Sequence, residues 1–187
     1  NAGCDFLIID EQVKQNQFCN PKIQKQREIK IKKHENSTIV MHLNYNNLGK
    51  NNIKLNLFLN NVNNYLKLNY KIILIYPIPQ FSSDVSESLH KLYNKDKKKF
   101  SDNILKKENY INLDLKEFSR DVKNIHDSFD KLVHKNLYRV FPQSIFCNQL
   151  IKGKCLGNSS EDIYFVDKSH LSKKGSKMVS ANLIKII

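Results

Sequence analysis

The chain has 187 residues, enough for one domain with a sizeable core, and 40% of them are apolar. No uninterrupted apolar stretch is long enough for a membrane-spanning helix, and no charged-then-apolar signal pattern opens the chain. The formal net charge of +13 is built almost wholly from lysines spread along the sequence, with concentrations at 22–33, 95–107 and 173–177, and neither an RNP-type aromatic motif, a zinc-finger spacing nor an Arg-rich recognition helix accompanies them. Lys, Asn and Ile are all over-used, as an AT-rich genome produces without selection for binding, so the charge gives little support to a nucleic-acid partner and only somewhat more to a general affinity for anionic envelope polymers.

In chain order, Asn20-Pro21 supplies a cap followed by proline at a first helical position, predicting a helix to about Lys33. Ser37 to Leu43, with Thr38, Ile39 and Val40, reads as a buried strand. Leu55, Phe58, Leu59, Val62, Tyr65 and Leu66 recur at helical spacing, and Asn69 ends that helix. Lys71 to Tyr76 reads as a second buried strand, which Pro77 and Pro79 forbid from continuing.

A helix is expected over Val85 to Tyr93, followed by a Lys-rich solvated stretch. Asp114 with Glu117 forms a capping-box signature ahead of the stripe Leu115, Phe118, Val122, Ile125, Phe129 and Leu132, a helix reaching about His134. Leu137 to Phe141 is a third strand, and a last helix presents Met178, Val179, Leu183, Ile184 and Ile187. Alternating strands and helices with apolar strand runs predict an α/β fold, a three-layer α/β/α sandwich on a parallel sheet. In such sheets the chemistry sits at the carboxyl ends of the strands.

Four cysteines fall in two locally close pairs, Cys4 with Cys19 and Cys147 with Cys155, and neither pair has the spacing of a zinc site. An even count so arranged favours two short-loop disulfides and hence an oxidising compartment outside the cytoplasm. His34, His42, His90, His126 and His134 are scattered without a suitable i, i+4 partner. His126 and His134 read as surface positions of the long helix, and His42 is retained as a possible substrate contact.

The most informative segment is Asp167-Lys168-Ser169-His170-Leu171-Ser172, followed by Gly175 and the final helix that Ser172 is placed to cap. An imidazole that takes a proton from a hydroxyl nucleophile works well only when one ring nitrogen is held by an acceptor that fixes its tautomer. Asp167, three residues before His170, is such an acceptor, although an isolated D-x-x-H also occurs in ordinary solvated loops.

Cys147-Asn148-Gln149-Leu150-Ile151-Lys152-Gly153-Lys154-Cys155, then Ile163-Tyr164-Phe165-Val166-Asp167 and His170-Leu171-Ser172-Lys173-Lys174-Gly175, resembles the end of the SGNH domain fused to membrane-bound O-acyltransferases of bacterial surface polysaccharides. Gly3-Cys4 with Cys19-Asn20 resembles the paired cysteines near the start of that domain, and Lys71 to Phe81 its central strand and Pro-x-Pro turn. The resemblance implies a flavodoxin-like sheet of the SGNH hydrolase type. It also implies catalytic roles for His170 as base and acid and for Asp167 as its orienting partner. For the oxyanion hole it points to Gly3 and Asn44, which equally suit a turn before a disulfide and a strand-end cap. It calls for no cofactor and no metal.

The family's G-D-S nucleophile turn does not occur in the sequence. Ser159 and Ser160 follow Gly157-Asn158 with no helix behind them, and Ser176 lies inside the start of the last helix. The chain begins at Asn1 rather than Met, so the first strand and its nucleophile are expected upstream, leaving a single SGNH-like domain over residues 1–187 that is inactive alone.

The expected function is transfer of an acyl group, most simply acetyl, to a sugar hydroxyl of a cell-surface polysaccharide. The glycan is then the acceptor partner, and a multi-spanning membrane acyltransferase domain delivers the acyl donor at the periplasmic face of the inner membrane. A free-standing SGNH carbohydrate esterase shares the same triad. A non-catalytic carbohydrate-binding module of SGNH-like fold is the alternative from another class.

Overall fold

The computed structural model describes residues 21–43, 45–49, 52–95 and 109–186. Gly3, Cys4, Cys19, Asn44 and the Lys-rich stretch after Lys95 lie outside them. The elements are α1 (Pro21–Lys32), β1 (Thr38–Met41), α2 (Tyr45–Leu48), α3 (Asn52–Lys67), β2 (Lys71–Ile75), α4 (Val85–Lys95), β3 (Asn112–Asp114), α5 (Leu115–Asp130), β4 (Leu137–Val140), α6 (Pro142–Phe146), β5 (Lys154–Leu156) and α7 (Lys173–Ile184). They divide into two compact units, one of residues 1–75 with 122–139 and the other of residues 76–121 with 140–187.

In the first unit β1 and β2 pair in parallel, Thr38 opposite Lys71 through Met41 opposite Leu74, in a sheet of order β1-β2-β4. The Ile72 N–H donates to the Asn136 carbonyl and the Tyr76 N–H to the Val140 carbonyl, both at 2.9 Å. The equal advance along both strands makes β4 parallel to β2 as well. The α/β class with a parallel sheet is thus the one expected.

The central strand β2 is buried from Ile72 to Ile75, as its unbroken apolar run requires. Strand β1 departs from expectation. Only Met41 is buried and Val40 is 46% exposed, because β1 stands at one end of the sheet among the described residues.

Helix α3 buries Leu55, Phe58, Val62, Tyr65 and Leu66 at the spacing that places them on one face. It ends because Asn69 takes a left-handed conformation, φ 64°, while the Tyr70 N–H reaches back to the Tyr65 carbonyl at 3.1 Å. Asn is among the few non-glycine residues that accept such a φ. The same side chain links the amino ends of the three strands: Asn136 Nδ2 donates to Asn69 Oδ1 at 2.9 Å, and Asn69 Nδ2 to Asn36 Oδ1 at 3.4 Å.

Phe129 packs edge-on against Tyr45 at 5.6 Å and tilted on Phe58 at 5.6 Å, and the Tyr45 hydroxyl donates to the Ile75 carbonyl. Helix α5 is capped by Asp114, whose Oδ1 accepts the Lys116 N–H at 2.8 Å and the Glu117 N–H at 3.3 Å. It stops at Asp130, short of the expected His134. Leu132 is still buried, but from the following turn. His126 is half-buried rather than on the surface, and burial pushes its pKa down against the pull of Asp130 and Asp127. The His134 ring accepts the Asn136 N–H at 3.1 Å, closing the turn into β4.

The second unit holds an antiparallel pair absent from the sequence reading: β3 and β5, with Leu113 opposite Cys155. Its core gathers Phe81, Val85, Leu89, Phe118, Phe146, Leu156 and Phe165. Phe165, completely buried, meets Phe81 edge-on at 4.9 Å and Phe146 at 5.0 Å. In α7 Val179 is buried but Ile184 is 73% exposed, so the apolar tail packs over a narrower stripe than its composition suggests. No described helix is long and apolar enough to cross a membrane.

Candidate active site

The site is built from the loop between β5 and α7. A disulfide joins Cys147 to Cys155, eight positions apart, and the Asn148 N–H donates to the Lys154 carbonyl at 2.9 Å, so the excursion between them returns on itself. Asn148 (φ 59°) and Gly153 (φ 77°) take the left-handed conformations that this return needs, and Asn148 Oδ1 accepts the Gly153 N–H at 2.7 Å. Cys155 is completely buried in β5, which leads directly into the loop.

Beyond β5, the Gly157 N–H donates to the Ile111 carbonyl at 2.7 Å, and the Gly157 carbonyl accepts from Tyr164 at 2.8 Å. Asn158 is fully buried. Its Oδ1 accepts the Ile111 N–H at 2.9 Å and its amide donates to the Ser159 carbonyl at 3.1 Å, so it replaces backbone partners where the chain leaves the sheet. Ser159 is buried, its hydroxyl accepting the Asp162 N–H at 3.1 Å and the Glu161 N–H at 3.3 Å. That is a turn-forming role.

Phe165 then anchors a tight reversal. Phe165 bridges Leu171, the Val166 N–H donates to the His170 carbonyl at 2.9 Å, and the Ser172 N–H to the Tyr164 carbonyl at 2.8 Å. The outer edge of the reversal is tied down by the Phe81 N–H on the Lys168 carbonyl at 2.9 Å and by the Ser86 hydroxyl on the Val166 carbonyl.

Within this reversal Asp167 uses both carboxylate oxygens. Oδ1 accepts the Ser169 N–H at 2.8 Å and the His170 N–H at 2.7 Å, which makes the turn. Oδ2 accepts from His170 Nδ1 at 2.6 Å. Partial burial pushes the Asp167 pKa up, but the two backbone N–H groups and then the imidazole outweigh it, and the carboxyl is held below its ordinary value.

A charged Asp167 requires the proton on Nδ1, and in the neutral form of the ring Nε2 is then an acceptor. The His170 side chain is 77% exposed, and among the described residues nothing bonds its Nε2. The turn is fixed from behind by Ser172, the N-cap of α7, whose hydroxyl accepts the Gly175 N–H at 3.1 Å and donates to the Ile163 carbonyl.

A hydrogen-bonded Asp–His pair with one free imidazole nitrogen can abstract a proton from a hydroxyl and return it to a leaving group. The profile described as "SGNH domain (fused to AT3 domains)" matches residues 1–185.

The chain belongs to this SGNH-domain family.

Among solved structures, this SGNH domain is similar to the periplasmic domain of a lipopolysaccharide acetyltransferase from Salmonella ser. Paratyphi A. The TM-score is 0.53 at 16% identity, over 87% of this chain and 62% of that one. At that identity the likeness is one of fold. A search of curated proteins finds no match.

The structure brings together Asp167 with His170 and Cys147 with Cys155. Gly3, Asn44, Cys4 and Cys19 fall outside the described residues. His42, exposed after β1, makes an edge-on ring contact with Tyr45 at 5.5 Å. Sequence reasoning named Gly157, Asn158, Tyr164 and Gly175 within its motifs but assigned them no supporting role. A glycine and an asparagine directly after a buried strand were the available signal for the first two.

Proposed function

We propose that this SGNH domain carries the base and its orienting carboxylate of an O-acyltransferase that moves an acyl group, most simply acetyl, onto a sugar hydroxyl of a cell-surface polysaccharide. The observation that carries the reading is the 2.6 Å contact of Asp167 Oδ2 with His170 Nδ1, on a turn that leaves Nε2 exposed. Membership of a family fused to AT3 domains supports a membrane partner that delivers the acyl donor. The disulfide supports an extracytoplasmic site, since such bonds persist in oxidising compartments.

In this mechanism the serine of the family's G-D-S turn, a turn this sequence does not contain, attacks the acyl carbonyl while His170 Nε2 takes its proton. Asp167 stabilises the resulting imidazolium through Nδ1. The tetrahedral adduct collapses, the donor leaves with the proton from His170, and the acyl group stays on the serine. The sugar hydroxyl then gives its proton to Nε2 as its oxygen attacks the acyl-enzyme, and collapse returns the proton to the serine. In this reading Gly3 and Asn44 are the oxyanion-hole donors.

The test is to express the complete acyltransferase and measure O-acyl groups on the surface polysaccharide by NMR. His170→Ala should lower them to background, a loss on the order of 10³-fold or more in rate. Polysaccharide that stays fully acylated in that variant would remove the reading.

A further inference from the structure

Helices α1 and α3 enclose an open groove of about 500 Å³, within the roughly 300–1,000 Å³ of small-molecule sites, and none of its lining residues belongs to the Asp167–His170 turn. From α1 come Glu28 and Lys32, one helical turn apart and paired at 2.7 Å, yet with side chains 34% and 56% exposed. From α3 come Asn61, Asn64, Tyr65 and Lys67. The spacing of residues 61, 64, 65 and 68 places them along one face of that helix.

The chemistry of this lining selects its ligand. An acyl chain is excluded, because it would strip water from two amines, a carboxylate and two amides without replacing their hydrogen bonds. Amides, amines and a carboxylate together offer both donors and acceptors, which a ligand rich in hydroxyls satisfies. Tyr65 forms a floor, 5% exposed, with Tyr70 edge-on to it at 5.5 Å. Burial, then the charge of Glu28, then Tyr70 push its phenol up to about 12, so its O–H is retained at any physiological pH. Leu68, 56% exposed, gives the rim an apolar edge for the carbon face of a sugar ring.

The charge of the groove is positive, Lys32 and Lys67 against Glu28 alone. Lys25, three residues before Glu28 and seven before Lys32, comes round to the same side of α1. An exposed i, i+4 ion pair is weak, so Lys32 can turn from Glu28 to a ligand anion at little cost.

We propose that the α1–α3 groove binds an anionic sugar unit of a glycan, its carboxylate or phosphate met by Lys32 and Lys67 and its hydroxyls by Asn64. The proposal rests on the proposed function only in taking the partner polymer to be a glycan. It adds a holding site for that polymer which uses none of the acyl-transfer residues.

The test is isothermal titration of the full chain with tetragalacturonate, with its methyl ester and with mannose 6-phosphate. Tetragalacturonate or the sugar phosphate should bind and the ester should not, the tighter of the two anions identifying carboxylate or phosphate as the group recognised. Lys32→Gln with Lys67→Gln should weaken binding about tenfold, and Asn64→Ala severalfold. Lys131→Gln with Lys135→Gln, the same charge change at exposed positions elsewhere, should leave it unchanged. Equal binding of the ester, equal weakening by both double variants, or no binding of either anion overturns the proposal. His170→Ala should retain binding, so a failed groove and a failed acyl-transfer reading give different results.

Discussion

Gly175 lies beneath the carbonyl of Tyr164, and a Cβ built on it would come within 2.2 Å of that oxygen and 3.1 Å of Leu171 Cδ2. The same carbonyl accepts the Ser172 N–H at 2.8 Å, so the contact closes the turn that carries Asp167 and His170. In an ordinary helix Gly→Ala is stabilising by about 1 kcal/mol. Here the overlap is with backbone, which has no rotamer to escape into, and overpacking costs about 1–3 kcal/mol. Gly175→Ala is therefore expected to lower stability in urea unfolding, by up to about 2 kcal/mol. A variant as stable as the parent or more so would mean that the turn relaxes freely.

Asp167 has two separable duties, and two substitutions divide them. Asp167→Asn keeps an oxygen for the Ser169 and His170 N–H groups but can place an amide donor opposite Nδ1, which favours the wrong imidazole tautomer. Its folding free energy at neutral pH should change by less than about 1 kcal/mol, since the Asp–His hydrogen bond is largely exposed to solvent. Acyl transfer by the complete enzyme should fall by on the order of 10⁴-fold under the proposed mechanism. Asp167→Ala should lose the turn as well and unfold at lower urea. Equal activity of Asp167→Asn and the parent would show that the carboxylate only shapes the loop.

The depressed pKa of Asp167 sets a sign for the pH dependence. A carboxyl whose folded pKa lies below its unfolded value near 3.9 adds stability above that value, and this is lost as pH falls through the folded pKa. The stability difference between the parent and Asp167→Asn should therefore shift in favour of the parent as pH rises from about 3 to 5, by no more than about 1 kcal/mol given the exposure of the pair. Unfolding curves across that interval measure it. A shift in the opposite direction would mean that burial of Asp167 outweighs its hydrogen bonds.

The parts of this structure that sequence could reveal are those whose cause is local. Apolar spacing defined α3 and α5 because a helical face is fixed by residues three and four apart, and the unbroken run of Ile72 to Ile75 defined β2. The Asp167–His170 pair was legible for the same reason, since one turn contains all its hydrogen bonds. Strands β3 and β5 have three residues each and exist through pairing across forty positions, for which neither strand carries a period of its own. The contact of Gly175 with Tyr164 and the bond from Phe81 to Lys168 depend likewise on where distant segments arrive. The partial exposure of β1 came from its place in the sheet order, which composition does not encode.

The last prediction concerns the cysteines. Cys147 and Cys155 close a short loop at the entry to the site, and closing a loop of this size contributes roughly 2–3 kcal/mol by the chain-entropy account. Paired substitution of both by Ser should lower stability by about that amount, and it should free β5, whose Cys155 is completely buried opposite Leu113. Hydrogen exchange should show this as faster exchange of the Gly157 N–H, which bonds to Ile111 immediately after β5. Cys4 and Cys19 are expected to form the second disulfide, from their closeness in sequence. Non-reducing peptide mapping distinguishes the outcomes. Two local pairings support an oxidising compartment, whereas free thiols or a pairing between the two ends of the chain would remove the assignment and with it that argument for an extracytoplasmic location.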